Sequence, residues 1–234
     1  MKDNSILTTK ELSKYLKLNE KTIIKMAQSR DLPGFKIGSK WRFYLSVVDE
    51  YLQDKIIRFP KKYVSKLPEL GSGSFPLSRL IDESCIDLNL KSKTVDGILY
   101  ELSEIAQKSN ITVSIERLVI QLKKREQMLS TAIGEGVAIP HPRNPSDDLF
   151  KRAGFMIGRS VKGVNFGAPD NKKTHIFFML CATDVILHLN LLSSIARLID
   201  KKEVVKKILN AKTKKNILKL LLESERPSIS NLSE

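Results

Sequence analysis

Two prolines clamp one histidine in this chain, and the clamp limits what the backbone around it can become. The stretch Arg125–Arg143 reads R-E-Q-M-L-S-T-A-I-G-E-G-V-A-I-P-H-P-R. Pro140 and Pro142 flank His141, one of three histidines in the protein. Proline fixes its own φ and drives the residue before it toward extended conformations, so Ile139 and His141 read as stiff, extended backbone. Gly134 and Gly136 upstream permit backbone geometry that a Cβ forbids, and let a ligand approach main-chain N–H groups. Arg125 and Arg143 bracket the stretch. A stiff histidine, glycine-freed amides and nearby guanidinium groups suit a histidine that carries a phosphoryl group. A plain surface loop is the other reading of the same residues.

The order R-E…S-T-A-I-G-E-G-V-A-I-P-H resembles the signature of enzyme IIA domains of the bacterial phosphotransferase system. The branch it resembles is the fructose/mannitol/nitrogen-regulatory one, the nitrogen type most of all. The resemblance implies that His141 accepts a phosphoryl group from an HPr-like phosphocarrier. It implies that Arg125 approaches the phosphate and that His188 lies beside the phosphorylated ring. The chain departs at Pro142, where the family usually carries glycine. The later runs G-V-N-F-G-A-P-D (163–170) and H-L-N-L-L-S-S-I-A-R-L (188–198) are similar to the family's later motifs. His175 has no counterpart role and reads as structural. Arg143 reads as surface charge close enough to meet an incoming phosphocarrier.

The first 55 residues read differently. Thr8-Thr9-Lys10-Glu11 fits a capping box, with Thr8 as N-cap and Glu11 reaching back. Leu12, Tyr15 and Leu16 follow at helical spacing. Asn19 is a second N-cap, opening a helix over Glu20–Ser29 with Ile23 and Ala27 on its apolar side. Lys21, Thr22, Lys25 and Gln28 are then free to meet DNA. Two short helices across a tight turn outline a helix-turn-helix. Phe35–Ile37 and Trp41–Phe43 read as strands around a Gly38-Ser39 hairpin turn. Lys36, Lys40 and Arg42 charge that hairpin as a wing tracking phosphates requires. Ser46 reads as the cap of a helix through Val47, Val48 and Tyr51. The pattern resembles the excisionase/MerR-like winged-helix family, which implies binding to double-stranded DNA.

Charge supports an anionic partner. The net charge is +14, and residues 1–75 hold 15 Lys+Arg against 8 Asp+Glu, about twice the excess per residue of the remainder. Residues 56–76 mix prolines, a lysine pair and Gly71-Ser72-Gly73-Ser74, and read as a linker. Residues 77–226 alternate helices and strands. Leu77–Ile81 reads as helix, Ile86–Leu90 as a strand, Lys93–Ser109 and Ile115–Leu129 as helices, the second capped by Ser114. Ala153–Gly158 and Thr174–Ala182 read as buried strands. His188 opens a helix, and basic helices near Val204–Leu209 and Lys214–Leu222 follow. Residues 227–234 read as a tail. The expected fold class is α/β: a C-terminal mixed β-sheet covered by helices, with a small N-terminal winged helix-turn-helix domain.

Several function classes drop out. Cys85 and Cys181 lack a CxxC or a histidine at metal spacing, so both read as buried thiols, and neither metal nor cofactor is expected. No apolar run reaches membrane length and the N-terminus lacks a signal core, so the expected location is cytoplasmic, without membrane attachment. No IIB-like cysteine motif or permease segment is visible, so the chain alone is not expected to move sugar. The expected protein is a phosphocarrier with a phosphohistidine intermediate rather than a metabolic enzyme. It pairs that chemistry with DNA binding, as a transcriptional regulator would. The alternatives are a phosphocarrier serving a sugar-specific IIB partner and an unphosphorylated interaction protein. Whether the chain acts as a homodimer is not set by its sequence.

Overall fold

The computed structural model describes residues 5–16, 18–29, 31–48, 51–52, 76–143, 145 and 148–225. The 56–76 linker, apart from residue 76, and the 227–234 tail lie outside the described residues.

The N-terminal unit is a three-stranded antiparallel sheet packed on two helices. Strand β1 (Ile6–Thr8) leads into α1 (Thr9–Leu16), then α2 (Glu20–Gln28), β2 (Phe35–Ile37) and β3 (Lys40–Tyr44), in sheet order β1-β3-β2. The capping box forms as its sequence dictates. Thr8 N donates to Glu11 Oε2 at 2.8 Å, and Glu11 N donates to Thr8 Oγ1 at 3.2 Å. Asn19 accepts from Lys21 N and starts α2. Gly38, at φ +60, makes the two-residue turn between Ile37 and Lys40. Residues 45–48 and 51–52 are helical. Ser46 is itself helical and does not stand before the helix as a cap; Leu45, the first helical residue, donates its N–H to Ser5 O at 3.1 Å. The first strand was not foreseen; three residues carry no readable alternation. Leu12, Leu16, Ile23, Ala27, Leu32, Phe43 and Val48 form the buried centre.

The C-terminal unit has a five-stranded mixed sheet, order β4-β7-β8-β6-β5. Its strands are β4 (Ile86–Asp87), β5 (Ala132–Gly134), β6 (Val137–Ala138), β7 (Gly154–Val164) and β8 (Thr174–Cys181). Its helices are α3 (Val95–Lys108), α4 (Ile115–Met128), α5 (Val185–Asp200), α6 (Lys202–Asn210) and α7 (Lys214–Glu225). The antiparallel β7–β8 ladder runs from Gly154↔Cys181 to Val164↔Thr174 and forms the spine. Nearly every residue of β8 is buried, so both sheet faces are covered. Thr94, Ser114 and Asp184 cap α3, α4 and α5 with their side-chain oxygens.

Two readings shorten. The expected strand Ile86–Leu90 survives only as β4, because Asp87 Oδ1 accepts from Asn89 N at 2.7 Å and interrupts the ladder, which the chain meets again where Leu90 N donates to Arg159 O at 2.8 Å. The expected helix at Leu77–Ile81 is a single 3-10 turn over Leu77–Arg79. Cys85 and Cys181 are buried free thiols, as read. The glycine-rich turn before His141 belongs to a hairpin, β5–β6, whose second strand pairs parallel with β8.

Candidate functional site

That hairpin is where local sequence becomes site geometry. Gly134, Glu135 and Gly136 all have positive φ, so the backbone reverses tightly between β5 and β6. Asp170, from the turn after β7, braces it by accepting from Glu135 N at 2.8 Å and Lys172 N at 3.2 Å. A second brace comes from the end of α4. The Glu126 carboxylate accepts from Thr131 N at 2.8 Å and Thr131 Oγ1 at 2.6 Å. Thr131 O accepts from Ile139 N at 3.0 Å. Ile139 O in turn receives a ring N–H, for His141 Nδ1 lies 2.7 Å from it. A carbonyl can only accept, so Nδ1 carries the proton and Nε2 keeps its lone pair. Nε2 has no hydrogen-bond partner.

His188 lies one turn into α5, its N–H bonded to Asp184 O. Its ring centroid is 5.1 Å from that of His141, with the planes at 59°. Both rings are fully buried, and neither ring nitrogen of His188 has a hydrogen-bond partner. Arg125 is buried too, and its Nη1 donates to Leu129 O at 2.8 Å. Burial is the largest influence on both imidazoles. It pushes His141 well below the ordinary histidine range, with His188 and Arg125 adding to the effect while the bond to Ile139 opposes it. His188 is lowered to about 3 by burial first and the Arg125 charge second. Both rings are therefore neutral near pH 7. Burial also raises the Glu126 carboxyl, against the pull of its hydrogen bonds.

The structure thus gathers Arg125, His141 and His188. Glu126 and Thr131 also belong to the site's frame, and sequence reasoning gave them no role. The signal was present, since both sit inside the R-E…S-T run. His175 stays apart, its Nδ1 3.1 Å from Ser160 O. Arg143 is half-buried, with Nη1 3.5 Å from Met128 Sδ. Among the described residues no group of three or more His, Cys, Asp or Glu is placed to hold a metal ion. Nor is any helix among them long and apolar enough to cross a membrane.

The candidate DNA contacts divide into two sets. Lys21, Lys25 and Gln28 are exposed at i, i+4 and i+7 and make one stripe of α2, with exposed Thr22 beside it. Lys36 pairs across the hairpin with Trp41, and both lie on the helix-facing side with Phe43. Lys40 and Arg42 are on the other face, opposite Ile37 and Phe35. Arg42 is half-buried, donates to Trp41 O at 2.9 Å, and its charge helps hold the exposed Glu11 carboxyl low after the Thr8 bonds. The hairpin's cations therefore do not present one surface.

Known proteins resemble both units. A family profile described as "Helix-turn-helix domain" matches residues 6–56. The nitrogen regulatory protein of Klebsiella oxytoca is 27% identical over 156 residues, covering 66% of this chain and 94% of that protein. The fructose-specific EIIABC component of Bacillus subtilis is 28% identical over 152 residues, covering 64% of this chain. This chain spans only 24% of that longer protein. The crystal structure of nitrogen regulatory protein IIA-Ntr from Neisseria meningitidis superposes with a TM-score of 0.56 at 24% identity, covering 62% of this chain and 97% of that one. That likeness shows the shared fold. A profile described as "Phosphoenolpyruvate-dependent sugar phosphotransferase system, EIIA 2" matches residues 79–224, most of the chain and all of the Arg125–His141–His188 cluster, so the chain belongs to that EIIA family and carries a helix-turn-helix domain before it.

Proposed function

We propose that this protein is a phosphotransferase-system regulator that takes a phosphoryl group onto His141 Nε2 and binds duplex DNA through its first domain. One observation carries the first half: Ile139 O fixes the proton on Nδ1 and leaves an unpartnered Nε2 lone pair facing a buried site. In the transfer, Nε2 forms a bond to phosphorus as the donor's bond to phosphorus breaks. The donor leaves with that electron pair, and the His141 ring becomes formally cationic. Ile139 O is placed to stabilise it through Nδ1–H. Such transfer depends on positioning and on neutralising the phosphoryl oxygens. Arg125 supplies the positive charge, and His188 offers a ring nitrogen to the same oxygens. The donor is an HPr-like phosphocarrier. Because both rings are buried, the surface over them gives way when the donor arrives.

The test is labelling of purified protein with phosphoenolpyruvate, enzyme I and HPr. The expected product is an acid-labile, base-stable phosphate on wild type and none on His141→Ala. Undiminished labelling of that variant overturns the assignment. A second reading has its own support. A solved complex of mannitol enzyme IIA with phosphorylated enzyme IIB shares this fold, with a TM-score of 0.55 at 20% identity. Passage of label from this protein to a IIB domain would establish that reading.

A further inference from the structure

A concave site lies far from the histidines in sequence. It is a cleft of about 460 Å³ between the end of α2 and the base of the hairpin, lined by Ala27, Gln28, Leu32, Pro33, Lys36 and Trp41. Its shape belongs to the fold. Gly34 also lines it, and a Cβ on Gly34 would stand 2.6 Å from Phe43 Cε1, so the backbone there is pinned against the core. Lys36 Nζ sits 5.2 Å from the centroid of the half-buried Trp41 ring. No lining residue is acidic. Asp31, nearby in sequence, accepts from Ser29 Oγ at 2.7 Å. Gln28 lines the cleft and also ends the exposed Lys21–Lys25 stripe, so the cleft continues the helix surface offered to a major groove.

We propose that this cleft seats one sugar–phosphate strand of duplex DNA, with a deoxyribose against Trp41 and a phosphate at Lys36 Nζ. The proposal rests on the DNA-binding reading above and makes it specific. Aromatic rings offer apolar contact to a sugar, and a lysine beside one neutralises the adjoining phosphate. Arg42, on the opposite hairpin face beside Glu11, takes no part. The recognition surface is therefore Lys21, Lys25, Gln28, Lys36 and Trp41.

Trp41 is the chain's only tryptophan, so its emission reports this cleft alone. The full-length protein is titrated with a mixed-sequence duplex at low salt, following gel retardation and tryptophan emission together. Emission is expected to change along the retardation isotherm. Lys36→Gln, an exposed change that leaves the core intact, is expected to weaken binding about tenfold at 0.1 M salt and lower the log–log salt slope by about 1. Gln28→Ala is expected to weaken binding as well, while Arg42→Gln keeps the wild-type slope. Retardation with unchanged Trp41 emission and a wild-type slope for Lys36→Gln overturns the cleft while leaving DNA binding intact. Equal affinity and equal emission change with the single strand overturn the duplex assignment, since the cleft would then seat a lone sugar–phosphate strand as well as a paired one. Absence of any retardation removes the DNA-binding reading itself, and this proposal with it.

Discussion

His141 and His188 are bases held neutral by burial, and this has a consequence for stability. His188 is lowered to about 3 and His141 is lowered well below its ordinary value of about 6.5. Below about pH 6.5 the unfolded chain binds protons at both positions that the native fold refuses. Stability is therefore full above that pH and falls as pH drops, by up to about 1.4 kcal/mol per pH unit for each histidine. The raised Glu126 carboxyl acts in the opposite direction, because the native fold keeps its proton longer. Urea midpoints measured from pH 7 to pH 5 should decline in wild type and decline less in His141→Gln/His188→Gln. Identical pH slopes in the two would show that the rings are not held neutral. Glu126 has a second expected effect. Glu126→Ala frees Thr131 and, through it, Ile139, so phosphoryl labelling of His141 should slow while the labelled residue stays the same.

A single cation holds an element end in the C-terminal unit. Arg159, on β7, donates Nη1 to Leu209 O at 2.8 Å and Ala211 O at 2.7 Å, and Nε to Leu88 O at 3.0 Å. The first two carbonyls close α6, where a positive charge also meets the negative end of the helix. Arg159→Met keeps much of the apolar stem and removes the donors. It should cost about 2 kcal/mol, allowing for partial exposure, read as a lowered thermal midpoint. The β5–β6 hairpin depends in the same way on Asp170. Asp170→Ala leaves Glu135 N and Lys172 N to water and should lower the thermal midpoint. It should also reduce His141 labelling, because β6 leads directly into the Ile139–His141 segment. Arg159 did not announce itself in the sequence, and Asp170 stood there only as the last residue of the 163–170 run; the carbonyls that Arg159 meets, and the Glu135 N–H that Asp170 meets, lie tens of residues away.

On the scale of the whole chain, a +14 protein carries a helix-turn-helix domain and, on the function proposed above, a site that would gain roughly −1.5 to −2 charges on phosphorylation. Such a charge change couples the two domains if it alters how the basic surfaces of either meet. An ordinary coupling is about 1–3 kcal/mol, or roughly 5–150-fold in affinity. DNA affinity of the phosphorylated and unphosphorylated protein, compared at one fixed salt, should differ by at least about fivefold. A change in either direction demonstrates the coupling. Equal affinities, with His141 confirmed as phosphorylated, would mean the domains are only tethered.

Much of this protein was written locally. The Thr8–Glu11 capping box, the caps at Asn19, Ser114 and the Gly38-Ser39 turn follow from side chains and backbones a few residues apart, and each formed where its residues stood. The periodicity of α3 and the apolar runs of β7 and β8 were equally plain, because burial repeats with the geometry of the element. The motif around His141 was legible for the same reason, as a short ordered string. Tertiary structure decided the rest. It brought His188 to 5.1 Å from His141, ran a line of hydrogen bonds from Glu126 to the His141 ring, and set Lys36 and Arg42 on opposite faces of one hairpin. Those relations depend on strand register and on which segments pack together. A sequence holds them only through the sum of all its contacts, so no single stretch could display them.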